Sequence, residues 1–419
     1  MKNRVKIGAM LTAVAVMLSS AVCASGAKTE QDVRYRMRPA WEMSSLAAQA
    51  SPKGYTPDQI KTAYGIGSSV GTGKGKTIAI VVAYGNPGLA GDLASFDARF
   101  ALPQAETAVH SLGAAESDSD WAIETSLDAE WAHVMAPDAK LLVVEAASDD
   151  SADLLAAVDD ATNSGAQIVV MSWGSEEHPL LASQDAHFSN SGTVYLAAAG
   201  DDGVGAVWPA SSPNVISVGG TTLVLDSSGN RLRESAWRSS GGGPSSIERA
   251  PSWQTLLGVR SAARSTPDVS FDADAATGVS VYCSGSSGSG RWYCVGGTSL
   301  GAPSWGGIIA DLNQNQDYIK NAGSLYVLAG STDYLDPGGC FYDVTTGSNG
   351  LRAAVGYDEV TGLGSPNGTV LKEQAVLDVA ALSAVTDVTG TAADMLRRTP
   401  SKSPRVGVLQ PPRGQRSGK

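Results

Sequence analysis

Three groups of residues have side chains and spacing suited to chemistry. The first is Gly296-Gly297-Thr298-Ser299-Leu300-Gly301-Ala302-Pro303. A strand-like run over 292–295 enters it, and an amphipathic helix is expected to leave it over 305–313. Glycines permit a tight turn and the close approach of a substrate. Pro303 suits the first turn of a helix, where a missing N–H costs nothing. Ser299 is thereby expected at a helix N-terminus, where backbone N–H groups and the dipole favour developing negative charge. That place fits a nucleophile and its oxyanion. The octapeptide alone would read as a Gly/Ser turn with a capping serine; the order strand, turn, helix singles it out.

A serine hydroxyl needs a base. The chain holds only four histidines, His110, His133, His178 and His187, and none sits in a Gly-rich strand-to-helix setting. Carboxylates offer more. Glu124 and Asp128 lie four apart in Ile123-Glu-Thr-Ser-Leu-Asp-Ala-Glu-Trp, a spacing that puts both on one face of a helix. An isolated pair of this kind is ordinarily a solvated helix face. Here Trp121, Ile123, Leu127 and Trp131 surround it with apolar groups, and two crowded carboxyls titrate as one unit with separated apparent pKa values. The third group is Ala198-Ala199-Gly200-Asp201-Asp202-Gly203, at the C-terminal end of an expected strand, where open α/β sheets place ligands. Asp201 there is either a plain Gly-Asp turn or an oxyanion donor, and it can donate only when protonated.

The elements that must position these groups follow from periodicity. Short apolar, β-branched runs over 77–84, 141–147, 167–173, 193–199 and 215–218 alternate with helical segments over 121–134, 152–164 and 185–190. Near-continuous apolar strands suit a buried parallel sheet. The alternation predicts an α/β doubly wound domain with a mostly parallel sheet flanked by helices. The region 229–290 is richer in Gly and Ser. No internal repeat is present.

Composition sets outer limits. In 419 residues, 42% are hydrophobic and 48 are Gly, which fits a loop-rich globule with a sizeable core. The net charge of −12 argues against nucleic acid and anionic membrane surfaces as partners. Lys2, Arg4 and Lys6 precede an apolar run over 7–22 and then small residues, so 1–27 reads as a signal peptide of a secreted protein, extracellular or periplasmic. Cys23 goes with it. Residues 28–53 read as a short leader or linker, and 385–419 as a basic, Pro-containing flexible tail. Cys283 and Cys294 flank a Gly/Ser stretch and suggest a disulfide-closed hairpin, with Cys340 left over.

Taken in order, these residues resemble the sedolisin family of serine-carboxyl peptidases over about residues 54–380. Gly54-Tyr55-Thr56-Pro57 opens the match, followed by Glu124 and Asp128 with His133-Val134-Met135-Ala136-Pro137. Then come Met171-Ser172-Trp173-Gly174, Gly200-Asp201, Val218-Gly219-Gly220-Thr221, Pro267-Asp268-Val269-Ser270-Phe271-Asp272 and the serine box. The resemblance implies a subtilisin-like single catalytic domain over 54–384 that hydrolyses peptide bonds in acid. It implies Ser299 as nucleophile, Glu124 as general base and then acid, Asp128 tuning Glu124, and protonated Asp201 completing the oxyanion hole with the Ser299 N–H. It also implies one structural Ca²⁺ held by Asp343 and Asp358 side chains and by the Val344, Ala354 and Gly356 carbonyls, a donor set of the right hardness. Ala354 stands where the family often has Gly. Val82 stands near a position where some members carry a further acid. Members commonly have a domain-sized propeptide, for which 28–53 is too short. Protein or peptide substrates and a monomer without stable membrane association are expected.

Three other readings remain. A subtilisin-type Ser-His-Asp enzyme lacks its histidine here. An exported binding protein could retain the fold without catalysis. A carboxylate-pair glycosidase needs acids flanking the bond, whereas Glu124 and Asp128 approach from one side.

Overall fold

The computed structural model describes residues 35–386 apart from 44–48, 68–70, 115–116, 286–287 and 332–338. The expected signal peptide with Cys23, the start of the leader and nearly all of the basic tail lie outside the described residues.

In chain order the elements are β1 (Arg38–Pro39), β2 (Glu42–Met43), α1 (Pro57–Ala63), β3 (Thr77–Ala83), α2 (Leu89–Phe100), β4 (Glu106–Ser111), α3 (Ser119–Met135), β5 (Lys140–Ala146), α4 (Ser151–Asn163), β6 (Ile168–Met171), β7 (Trp173–Glu176), β8 (Val194–Ala198), β9 (Val207–Trp208) and β10 (Val215–Leu225). There follow β11 (Arg231–Ala236), β12 (Gly243–Arg249), α5 (Ser252–Leu256), β13 (Ala263–Thr266), β14 (Val269–Asp272), β15 (Val279–Cys283), β16 (Arg291–Gly296), α6 (Thr298–Leu312), α7 (Ala322–Ser331), β17 (Phe341–Tyr342), β18 (Ser365–Pro366) and α8 (Gly368–Thr386).

One eight-stranded sheet organises the molecule. Its order is β11-β10-β8-β6-β3-β5-β4, with β14 pairing β10 as well. All pairings except β10 with β11 are parallel. Strands covered on both faces need apolar side chains throughout, and β3, β5, β6 and β8 are buried almost end to end. This is the doubly wound, mostly parallel α/β architecture that the residue pattern predicts, in the subtilisin-like form that the resemblance implies.

Two helices carry the candidate residues Glu124, Asp128 and Ser299, and both are buried on all faces. α3 starts on Asp118, whose side chain accepts from the Asp120 and Trp121 N–H groups, and every residue from Trp121 to Met135 is buried. α6 is buried along its whole length, so the expected amphipathic helix over 305–313 is instead a core helix that begins earlier, at Thr298. Pro303 accordingly lies inside α6 rather than in its first turn. Its missing N–H leaves the Ser299 carbonyl without its usual helical partner; the Ser172 hydroxyl lies 3.5 Å from it. Small residues let α6 sit tightly. A Cβ on Gly307 would lie 2.5 Å from Met135 Cβ and 2.9 Å from the Ala132 carbonyl oxygen, so the close approach of α6 to α3 depends on glycine there.

Two expectations are corrected. Cys283 and Cys294 do not bridge. In the antiparallel pairing of β15 with β16, Cys283 faces Arg291 and Cys294 faces Ser280. Their sulfurs point to the carbonyl oxygens of Ala122 and Ala275, at 3.5 and 3.6 Å. Within the stretch expected as an irregular leader or linker, the described residues include two short strands: β1 pairs antiparallel with β7, and β2 pairs with β16, the strand that feeds the serine box.

Candidate active site

The serine box turns as its glycines require. Gly297 has φ +100°, a region other residues rarely enter, and hands the chain from β16 into α6. Ser299 is therefore in the first turn of α6, fully buried. Its hydroxyl donates to Glu124 Oε2 at 2.9 Å and lies 3.2 Å from the Ser172 carbonyl oxygen. The acceptor of the serine hydroxyl is thus a carboxyl on α3, brought to it by the tight packing of α3 on α6.

Glu124 and Asp128 are both fully buried, one helical turn apart. Glu124 Oε1 and Asp128 Oδ2 accept no hydrogen bond from any other group among the described residues. Burial first, then repulsion from Asp128, pushes the Glu124 carboxyl well up. Burial likewise pushes Asp128 up, opposed by hydrogen bonds from Ser172 and Glu124. One proton held between the two orphan oxygens satisfies both and leaves Glu124 Oε2 open to accept from Ser299. Asp128 Oδ1 is held from the other side by the Ser172 hydroxyl at 2.6 Å.

Asp201 follows β8 at the C-terminal end of the sheet. Its Oδ1 accepts from the Thr298 N–H at 2.9 Å and the Thr298 hydroxyl at 2.7 Å. Its Oδ2 is buried without a hydrogen-bond partner among the described residues. Burial raises Asp201 to about 7, against the two Thr298 bonds. With Oδ1 saturated by two donors, the proton it carries in acid belongs on Oδ2. That oxygen crowds Gly297 from the side where the Ala40 carbonyl oxygen also lies.

None of the four histidines contacts Ser299. His110 pairs with Asp160, His187 with Asp159, His133 with the Pro103 carbonyl, and His178 with Tyr35. The structure thus brings Ser299, Glu124, Asp128 and Asp201 around one centre. It adds Ser172 and Thr298, to which the sequence reading gave no role. A polar residue ending the apolar run of β6 at the C-terminal edge of the sheet was the signal available for Ser172.

The residues suggested for a cation also gather. The Gly356 N–H donates to Asp343 Oδ2 at 3.0 Å, and the Ala354 N–H donates to Asp358 Oδ2 at 2.9 Å. The Thr361 hydroxyl touches both the Val344 carbonyl and Asp358. Burial raises both carboxyls. Among the described residues no cluster of three or more His, Cys, Asp or Glu side chains forms a metal site; a cation here would rely on two carboxylates and carbonyls. Val82 sits opposite Glu145 in the β3–β5 pairing, so the nearest acid at that level of the sheet comes from the neighbouring strand.

Residues 107–344 match the Peptidase_S8 model, described as the subtilase family. Kumamolisin from Bacillus sp. (strain MN-32) is 34% identical over 382 residues, which is 80% of this chain and 66% of kumamolisin. Sedolisin from Pseudomonas sp. (strain 101) is 28% identical over 385 residues, 80% of this chain and 62% of sedolisin. The chain thus spans somewhat under two thirds of the length of these relatives. The structure of Pseudomonas sedolisin, a serine-carboxyl proteinase complexed with two molecules of pseudo-iodotyrostatin, superposes with a TM-score of 0.69 at 28% identity. That match covers 79% of this chain and 99% of that one. By fold, by sequence and by the order of its motifs, the chain belongs to the subtilase family, on its sedolisin branch.

Proposed function

We propose that the chain is a serine-carboxyl peptidase acting in acid on protein or peptide substrates. The observation that carries this reading is the 2.9 Å hydrogen bond from the Ser299 hydroxyl to Glu124, in a site that no histidine enters. Ser299 Oγ attacks the scissile carbonyl while Glu124 Oε2 takes its proton. Asp128, sharing the one proton held between the two carboxyls, keeps Glu124 from accumulating a bare buried charge. The oxyanion receives the Ser299 N–H and the Oδ2 proton of Asp201. Glu124 then protonates the leaving amine, and water resolves the acyl-enzyme by the reverse path.

The carboxyls set the pH range. Asp201 donates only below about 7; above that, its charge repels the oxyanion. The expected profile is activity in acid that falls through neutrality. The test is hydrolysis of a denatured protein from pH 3 to 8 by the wild type and by Ser299→Ala. Activity peaking above neutrality, or persisting in Ser299→Ala, would overturn the mechanism. Absence of activity at every pH would favour the binding-protein reading instead.

Two further features belong to the proposal. A Ca²⁺ ion held by Asp343, Asp358 and the Val344, Ala354 and Gly356 carbonyls would brace the loop between β17 and β18, supplying no chemistry to the reaction. Export follows from the N-terminal residues. No helix among the described residues is long and apolar enough to cross a membrane.

A further inference from the structure

The helix that carries Glu124 is held from two sides. The C-terminal half of α3 is fixed on α6 by the close approach at Gly307, which faces Ala132 and Met135. Glu124 lies in the other half. There the polar contact comes from the turn after β3, Tyr84-Gly85-Asn86-Pro87-Gly88. Asn86 is buried, and its side-chain amide donates to the Ala122 carbonyl at 3.2 Å and to the Ser126 hydroxyl at 3.3 Å. Ala122 and Ser126 are one turn apart and share a face of α3. Glu124, two residues from each, lies about 200° around the helix from them at 3.6 residues per turn. Asn86 therefore grips the helix behind the face that meets Ser299.

The turn is built to keep that amide still. Glu145, buried near the end of β5, accepts the Asn86 backbone N–H at 2.9 Å. The Asn86 side-chain carbonyl accepts the Gly88 N–H at 3.1 Å, where α2 begins. Pro87 biases the residue before it away from helical backbone. Tyr84 takes φ +63°, a left-handed conformation strained for a bulky side chain, which persists only where its surroundings over-determine it. Its N–H donates to the Ala146 carbonyl at 3.0 Å and its hydroxyl to Asp149 at 3.2 Å. Its ring meets Trp121 of α3 edge-on, with centroids 6.4 Å apart. The ends of β3 and β5 thus support a bracket against the half of α3 that holds the base.

Resting on the peptidase reading of the same site, we propose that Asn86, seated by Glu145, is a positioning residue of the reaction: it holds α3 against α6 from behind and so fixes Glu124 on the Ser299 hydroxyl. Neither residue touches Ser299; both act through α3. Without the amide, the N-terminal half of α3 recedes from α6 and the bond from Ser299 to Glu124 weakens. That bond opposes the rise that burial imposes on the Glu124 carboxyl, so losing it raises Glu124 further.

The test follows hydrolysis of a short peptide by the full chain from pH 3 to 8, with Tm read separately in a Ser299→Ala background. Asn86→Ala keeps the backbone bond to Glu145 and removes the grip on α3. Its kcat is expected to fall about tenfold, the effect of a sub-ångström displacement at a reacting pair, with KM little changed. The acid limb of its pH profile is expected to move upward, because a base with a raised pKa stays protonated to higher pH. Asp128 and Asp201, the acids that face Glu124, are unaltered, so neither supplies that movement. Glu145→Ala should shift both readouts the same way, and Glu145→Gln, which keeps a carbonyl acceptor for the Asn86 N–H, should restore most of the loss. If Asn86→Ala does not fold, Ser126→Ala, which removes one of the two acceptors, decides. Its kcat should fall about two- to fivefold, as for one neutral hydrogen bond, with the limb again moved upward. Wild-type kcat and an unmoved limb in the folded variants, whatever their Tm, overturn the positioning role and leave the peptidase reading standing. No hydrolysis by the wild type at any pH overturns the peptidase reading, and this inference with it.

Discussion

Ser172 donates a 2.6 Å hydrogen bond to Asp128 while its own carbonyl oxygen receives the Ser299 hydroxyl at 3.2 Å and the Ala40 N–H at 3.1 Å. One residue at the end of β6 thus ties the acid pair, the nucleophile and the chain leaving β1 to the central sheet. Its hydroxyl stabilises ionised Asp128, opposing the effect of burial. Ser172→Ala keeps the contacts of the Ser172 carbonyl and removes that bond, together with the longer 3.5 Å approach of the same hydroxyl to the Ser299 carbonyl. Hydrogen bonds to charged groups are worth about 1.5–3 kcal/mol, so kcat/KM is expected to fall about tenfold or more. The acid limb of the pH profile should move upward, because the pair then keeps its second proton to higher pH. An unchanged limb in Ser172→Ala would show that Ser172 does not tune the pair.

Asp201 makes stability depend on pH in a defined direction. Its folded pKa of about 7 lies above its ordinary value near 3.8. The folded state therefore binds the proton more tightly than the unfolded chain. The contribution is fully present below the unfolded pKa and is lost as pH rises from about 4 to about 7. At about 1.4 kcal/mol per unit, the loss is at most about 4 kcal/mol. Asp201→Asn, neutral at every pH, should remove it. Measured in a Ser299→Ala background, so that no hydrolysis intervenes, the variant should gain Tm over its parent at pH 7.5 more than at pH 4. An equal shift at both values would show that Asp201 is not a buried, proton-holding group.

Much of this was legible in the sequence, for identifiable reasons. Burial on both faces forces long apolar runs, and so the runs over 77–84 and 141–147 coincide within a residue with β3 and β5. The four-residue spacing of Glu124 and Asp128 needs only helix geometry to be read. What was missed depends on contacts remote in sequence. β1 and β2 are two residues each and exist only because β7 and β16 receive them. A helix buried all round has no polar face to mark where it starts, so α6 was expected seven residues too late. Cysteine spacing suggested a hairpin bridge, and the register of β15 with β16 sets the two side chains at non-opposed positions.

The approach of α3 to α6 should control the serine–glutamate distance. Gly307→Ala places a methyl 2.5 Å from Met135 Cβ, far inside van der Waals contact. Overpacking of this kind typically costs about 1–3 kcal/mol. The expected outcome is a lowered Tm together with a reduced kcat, because α3 can yield only by carrying Glu124 away from Ser299. KM for a short peptide should change little, since the cleft strands β7 and β16 are untouched. A destabilised variant with wild-type kcat would separate helix packing from the geometry of the base.

The loop between β17 and β18 carries a partly buried acid, Asp343, and a buried one, Asp358, and burial raises both. Without a cation, their charge at neutral pH works against the fold. A Ca²⁺ ion bound by both carboxylates and the neighbouring carbonyls would reverse that sign and stabilise the folded chain by mass action, by about 2.7 kcal/mol at a hundred times its dissociation constant. Adding a calcium chelator to the Ser299→Ala protein should therefore lower Tm by several degrees, and restoring Ca²⁺ should return it, whereas Mg²⁺ should not. In Asp343→Asn the chelator should have little further effect. A Tm indifferent to chelator in the parent protein would remove the cation from this loop and leave Asp343 and Asp358 as caps for the N–H groups of Gly356 and Ala354 alone.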